Sequence, residues 1–119
     1  MTGWEDTNDT EDRIFLLSLD DIKNTDYGFS SDYNEQDMNR RCAPTEYAVA
    51  QGIYQDTEAD ASDRTADGDA PCFWWLRSPG QGQNRAARVL NTGDVDNWGR
   101  IVNYDSVGVR PALWINLKP

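Results

Sequence analysis

The chain has 119 residues, enough for one domain with a single modest core. Its net charge of -10, from 21 acidic against 11 basic residues, argues against nucleic acid and anionic membrane as partners. The absence of histidine excludes Ser-His-Asp and Cys-His catalysis and histidine-ligated zinc, and two cysteines alone do not make a structural zinc site.

Residues 1–12 are acidic, carry a single aromatic (Trp4) and show no periodicity. They read as a flexible leader to one domain spanning 13–119. No signal peptide or membrane span is visible, so any export information lies elsewhere. Arg13-Ile-Phe-Leu-Leu-Ser-Leu19 reads as an apolar strand between charged ends. Ser18 followed by Asp21 resembles a capping box and predicts a short helical turn over 20–24. Residues 25–39 are polar, with Tyr27, Phe29, Tyr33 and Met38 as anchors and a helical turn expected after Asn34.

The strongest helix signal lies at 44–51, where Pro44 suits the first turn and Gly52 the C-terminal cap. Tyr47, Ala48 and Gln51 share its expected buried face. Residues 56–70 hold no large apolar side chain and read as a solvated loop, expected to be the most mobile segment. The carboxylates of Glu58, Asp60, Asp63, Asp67 and Asp69 lack the spacing and bidentate glutamate of a calcium loop.

Cys72-Phe-Trp-Trp-Leu-Arg-Ser-Pro-Gly80 holds the densest apolar material in the chain. Alternation sends Phe73 and Trp75 to one face and Trp74 and Leu76 to the other, predicting a central strand covered on both sides. Ser78-Pro79-Gly80 ends it. Cys72 either bonds to Cys42 in a disulfide or sits beside it as a second buried thiol. Arg77 and Arg110 read as structural cations, paired with buried carboxylates or backbone carbonyls.

Ala86-Ala-Arg-Val-Leu90 reads as the next strand, and Asn91-Thr-Gly-Asp94 has hairpin turn chemistry. Val95, Ile101 and Val102 mark the return strand, interrupted at Trp98-Gly99 by a bulge or a second turn. The strand at 107–117 closes the chain and is expected to pair antiparallel with 13–19.

Five segments carry a resemblance: Ile14-Phe-Leu-Leu-Ser-Leu19, Asp26-Tyr-Gly-Phe-Ser30, Pro44-Thr-Glu-Tyr-Ala-Val-Ala-Gln-Gly52, Trp74-Trp-Leu-Arg-Ser-Pro79 and Gly108-Val-Arg-Pro-Ala-Leu-Trp114. Together they resemble a family of bacterial domains of unknown function, DUF6273. The resemblance implies an α+β, C-type-lectin-like fold akin to the formylglycine-generating-enzyme branch. Such a fold has a small twisted antiparallel sheet, one or two short helices, long loops and paired terminal strands. Members often carry a further N-terminal section, so the resemblance implies a minimal or trimmed version here.

Some members are similar to the variable proteins of diversity-generating retroelements, which implies a variable region at 80–107. Adenine mutagenesis of Asn codons cannot produce Glu, Gln, Lys, Met or Trp. Residues 84–117 contain none of the first four, and Trp98 stands out as a fixed hairpin position. Twisted hairpins also tend to avoid these residues without mutagenesis. The variable face implied comprises Asn84, Arg88, Leu90, Asn91, Asp94, Asp96, Asn97, Trp98, Arg100, Ile101, Asn103, Tyr104, Asp105 and Ser106. Val89, Val95 and Val102 are its expected inward partners.

The expected function is ligand binding, with a protein as ligand, on a bacterial cell surface, extracellularly or on a phage particle. The alternative is an assembly domain of a larger surface protein. The formylglycine-generating reaction needs cysteines in the closing region, where this chain has none, and the calcium tripeptides of sugar-binding lectins do not occur. The expectation is therefore a non-enzyme with no metal, no cofactor and no membrane insertion.

Overall fold

The computed structural model describes residues 13–103 and 106–114. The acidic leader at 1–12, along with Tyr104 and Asp105, falls outside that range. Among the described residues the elements run β1 (Arg13–Phe15), three 3-10 turns, α1 (Glu46–Ala50), a fourth 3-10 turn, β2 (Trp74–Pro79), β3 (Arg85–Val89), β4 (Val95–Ile101) and β5 (Ala112–Trp114). The chain is thus a small α+β domain with little helix and two sheets.

β1 and β5 form a two-stranded antiparallel sheet in the register Arg13↔Trp114, Ile14↔Leu113, Phe15↔Ala112. The expected pairing of first and last strands is present, over a shorter stretch than 13–19. Beyond Phe15 the chain leaves the ladder and runs beside the far end of β2. There the Arg77 N–H donates to the Leu17 carbonyl at 2.9 Å, and the Leu19 N–H donates to Ser78 Oγ at 2.8 Å. The capping box forms as expected. Ser18 N–H donates to Asp21 Oδ2 at 2.9 Å, Asp21 N–H donates to Ser18 Oγ at 3.1 Å, and a 3-10 turn follows at Asp21–Lys23.

β2, β3 and β4 form an antiparallel sheet in sequence order. β2 lies at one side of it, but its second edge is also occupied. Trp75 N–H donates to the Gly108 carbonyl at 3.0 Å, and Gly108 N–H returns a bond to the Phe73 carbonyl at 2.8 Å. With Leu17 serving the next edge donor, β2 is hydrogen-bonded on both flanks, as the central-strand reading requires. Its coverage is less symmetric than expected. Trp74 and Leu76 are buried with Ile22, Ala87, Val89 and Val95 in one core, whereas Phe73 and Trp75 on the opposite face are half-buried.

Helix α1 is short. The Thr45 hydroxyl caps it by accepting from Ala48 N–H at 3.1 Å, with Pro44 just outside, and Gly52 follows at φ 107. Its expected burial stripe is not observed: Tyr47 is 75% exposed and Gln51 is exposed, with only Ala48 half-buried. A helix of five residues packs through its ends and has little lateral face to bury.

The loops are held by arginines. Arg40 is fully buried and donates to the carbonyls of Ile22, Ser30, Asp32, Glu35 and Gly93. Arg41 donates to those of Gln36, Ser62, Arg64 and Thr92. Arg64 donates to Thr57, Ala59 and Gly68. Irregular backbone leaves carbonyls without ladder partners, and a planar fork of five donors satisfies several of them at once. Tyr27 and Met38, read as anchors, are instead exposed, while Phe29 and Tyr33 do pack on the core. Likewise 56–70 is a stapled loop with a 3-10 turn at Ala61–Asp63, tied by Arg41 and Arg64.

Candidate functional site

The β3–β4 hairpin carries most of the residues expected to contact ligand. Its turn closes with Leu90 N–H donating to the Asp94 carbonyl at 2.9 Å and Gly93 at φ 99. Thr92 Oγ1 donates to Asp94 Oδ1, which gives that carboxylate a structural duty in the turn. Ala87, Val89 and Val95 point into the core, and Ala86, Arg88 and Asp96 alternate to the outer face.

Register then shifts. Arg88 faces Asp96, but Ala86 faces Arg100, so Asn97, Trp98 and Gly99 lie opposite Ala87 alone. This is a bulge. Gly99 adopts φ 89, and a Cβ there would lie 2.5 Å from the Ala86 carbonyl oxygen. The bulge is also anchored from the β2–β3 connection and the start of β3: Gln81 N–H donates to the Trp98 carbonyl at 2.7 Å, and Arg85 Nη1 donates to the Gly99 carbonyl at 2.9 Å. Backbone held this tightly presents the Trp98 indole outward, at 70% exposure.

Asn84, Arg100, Ile101 and Asn103 are exposed around the same end of the hairpin. Asn84 has φ 65, and its carbonyl accepts from Val102 N–H at 2.7 Å. Val102, expected to face inward, is 56% exposed, one residue beyond the end of β4.

A second group gathers on the outer face toward the turn. Arg88 and Asp96 form a half-buried ion pair at 3.0 Å. The Arg88 guanidinium lies 4.6 Å from the Phe73 ring centroid, and Phe73 stacks on Tyr54 at 5.7 Å. Asn91 Nδ2 donates to Asp56 Oδ2 at 2.8 Å, and Tyr54 N–H donates to the Ser106 carbonyl at 3.0 Å. Gly52, Tyr54, Phe73, Asn91 and Ser106 line an open cleft of about 530 Å³. Tyr54, Asp56 and Phe73 were not anticipated as site residues. They come from outside the hairpin, and no local pattern marks them.

Leu90, Asn97 and Ser106 are half-buried, so the candidate positions divide into an exposed rim around Trp98 and a recessed cleft. Arg77 and Arg110 bond backbone carbonyls, Arg77 Nε to Leu16 at 3.1 Å and Arg110 Nη1 to Asn39 at 3.4 Å. No group of three or more His, Cys, Asp or Glu side chains is placed to hold a metal among the described residues. Nor is any described helix long and apolar enough to cross a membrane.

Cys42 and Cys72 are free thiols, joined through their backbones by the Cys72 N–H to Cys42 carbonyl bond at 2.8 Å. The Cys72 side chain pulls Cys42 down from 9.0 to about 6, against desolvation and with help from Arg110. The same pairing, together with burial, pushes Cys72 up.

No curated protein and no solved structure matches the chain. One family model does, covering residues 1–117, and by that match the chain belongs to DUF6273, a domain family of unknown function.

Proposed function

We propose that the domain is a non-enzymatic binding module: a C-type-lectin-like scaffold that presents its β3–β4 hairpin to a protein ligand. The observation that carries this reading is the 70% exposed Trp98, held outward by a bulge whose backbone is bonded to Gln81 of the β2–β3 connection. Exposing an indole costs solvation, and an exposed indole two residues from the exposed Arg100, on a hairpin whose other end borders a cleft lined by Tyr54 and Phe73, has the composition of an interface centre. Tyr, Trp, Arg and Asn on a fixed scaffold are also the residues that serve paratopes, at low entropic cost. The antiparallel pairing of terminal strands suits the lectin-like scaffold. Retroelement-driven variation of 80–107, and display on a bacterial surface or phage particle, belong to the same proposal.

Sequencing the DNA around the coding region tests the diversification. A reverse-transcriptase gene with a near-repeat of the segment encoding 74–117 supports it, and flanking DNA lacking both removes it. Binding itself is tested by screening immobilised wild-type and Trp98→Ala domains against a panel of bacterial surface proteins. Ligands retained equally by both would move the interface away from the hairpin.

A further inference from the structure

The two thiols have no part in the hairpin, yet their setting is organised. Cys72 N–H donates to the Cys42 carbonyl at 2.8 Å. This bond brings the two cysteine backbones into direct contact, the first condition for a disulfide between them. Cys42 is half-buried and Cys72 buried, and Cys42 Sγ donates to the Ala43 carbonyl at 3.6 Å. Both sulfurs border a cavity of about 200 Å³ that also meets Thr45, Trp74 and Arg110. The Arg110 guanidinium lies 5.0 Å from the Trp74 ring, which keeps a cation near the sulfurs.

We propose that Cys42 and Cys72 form a reversible thiol–disulfide exchange site for low-molecular-weight disulfides, with Cys42 attacking and Cys72 resolving. The more accessible Cys42 has the lowered thiol pKa and a neighbouring cation, which are the marks of an attacking thiolate. Its sulfur attacks one sulfur of the small disulfide, the S–S bond breaks, and a first small thiolate leaves with the electron pair. The Cys72 proton passes to that thiolate. The Cys72 sulfur then attacks the Cys42 sulfur of the mixed disulfide and expels the second small thiolate. Two electrons have moved from the protein to the small disulfide, leaving one protein disulfide and two small thiols. The bond would tie the entry to α1 to β2, across the intervening 56–70 loop.

Reduced full-length chain, equilibrated with oxidised and reduced glutathione at defined ratios, tests the proposal by intact mass and alkylation. The expected product is a monomer lighter by two hydrogen atoms, with both cysteines protected. Quenched time points, digested and mapped, should show glutathione first on Cys42, and Cys72→Ser should accumulate that adduct. Glutathionylation of Cys42→Ser should be at least about tenfold slower. Monomers with both thiols still alkylatable under predominantly oxidised glutathione overturn the proposal, as do intermolecular dimers alone or first adducts on Cys72. Should a serine variant not fold, the wild-type time course decides by itself.

Discussion

The Trp74 indole N–H donates to the carbonyl oxygen of Arg40 across 2.8 Å, and both side chains are buried to within 1%. This bond joins the central strand to the residue whose guanidinium holds the N-terminal loops. Apolar core and loop framework therefore meet at one point, and losses there should spread.

Trp74→Ala should cost about 3–5 kcal/mol, and Trp74→Phe about 1–3 kcal/mol, the latter from a buried carbonyl left without its donor. Trp75 is only half-buried, so Trp75→Ala should cost roughly 1–2 kcal/mol. Urea melts of the three variants check the order. Equal losses for Trp74→Ala and Trp75→Ala would mean that the outer face of β2 is as well covered as the inner.

Arg40→Met keeps the bulk of the side chain but removes the donors to five carbonyls. The expected loss is about 3–5 kcal/mol, the range for breaking a buried charged network, and Arg40→Lys should recover only a minor part of it. Full recovery by lysine would show that charge, rather than the planar fork, is what the loops require.

For the bulge, Trp98→Ala should leave the melting temperature nearly unchanged while costing about 2 kcal/mol or more of ligand affinity. Gly99→Ala should do the reverse in stability, losing about 1–3 kcal/mol because φ 89 and the Ala86 carbonyl both oppose a Cβ. Melting and binding measured on both variants separate the two roles. A Trp98→Ala domain that melts early would make the indole a structural residue.

Arg64 ties the acidic loop through Thr57, Ala59 and Gly68. Arg64→Ala should hasten limited proteolysis within 56–70 with little change in global melting, since local opening depends on the local staples. Asp63→Ala, at a half-buried position in that loop, should alter mainly the on-rate of a charged ligand and its salt dependence. Unchanged cleavage in Arg64→Ala would assign the loop's order to Arg41.

The thiol pair makes a pH prediction for the reduced protein. Below pH about 6 the folded and unfolded chains hold both thiol protons, and the pair adds no stability. Between about 6 and 9.0 the folded chain has lost the Cys42 proton while the unfolded chain keeps both, so stability rises with pH. Above 9.0 the unfolded chain loses both protons while Cys72 retains its own, and the trend reverses. Melting curves of wild type and Cys42→Ala across this range check it, because the difference between them should peak near pH 9. Alkylation of Cys42 should show a midpoint near 6.

What could be read from the sequence alone was whatever neighbouring residues decide between themselves. Alternation in Trp74-Trp-Leu-Arg-Ser-Pro79 set Trp74 and Leu76 on one face and Trp75 on the other, without telling which face is better buried, the Ser18/Asp21 box marked its turn, and Asn91-Thr-Gly-Asp94 marked the hairpin. The terminal strands were legible from their matched apolar character. Tertiary structure decided which polar residues became interior. Nothing in the local sequence marks Arg40 or Arg41, which become interior because loops distant in sequence bring their carbonyls together around them. It also decided which half of each candidate face is exposed. A two-residue register shift in β4 turns Trp98 out, and that shift goes with the close approach of Gly80, just past the end of β2, to Gly99. Side-chain periodicity is a property of the segment, whereas desolvation and close backbone approach are properties of what arrives from elsewhere in the chain.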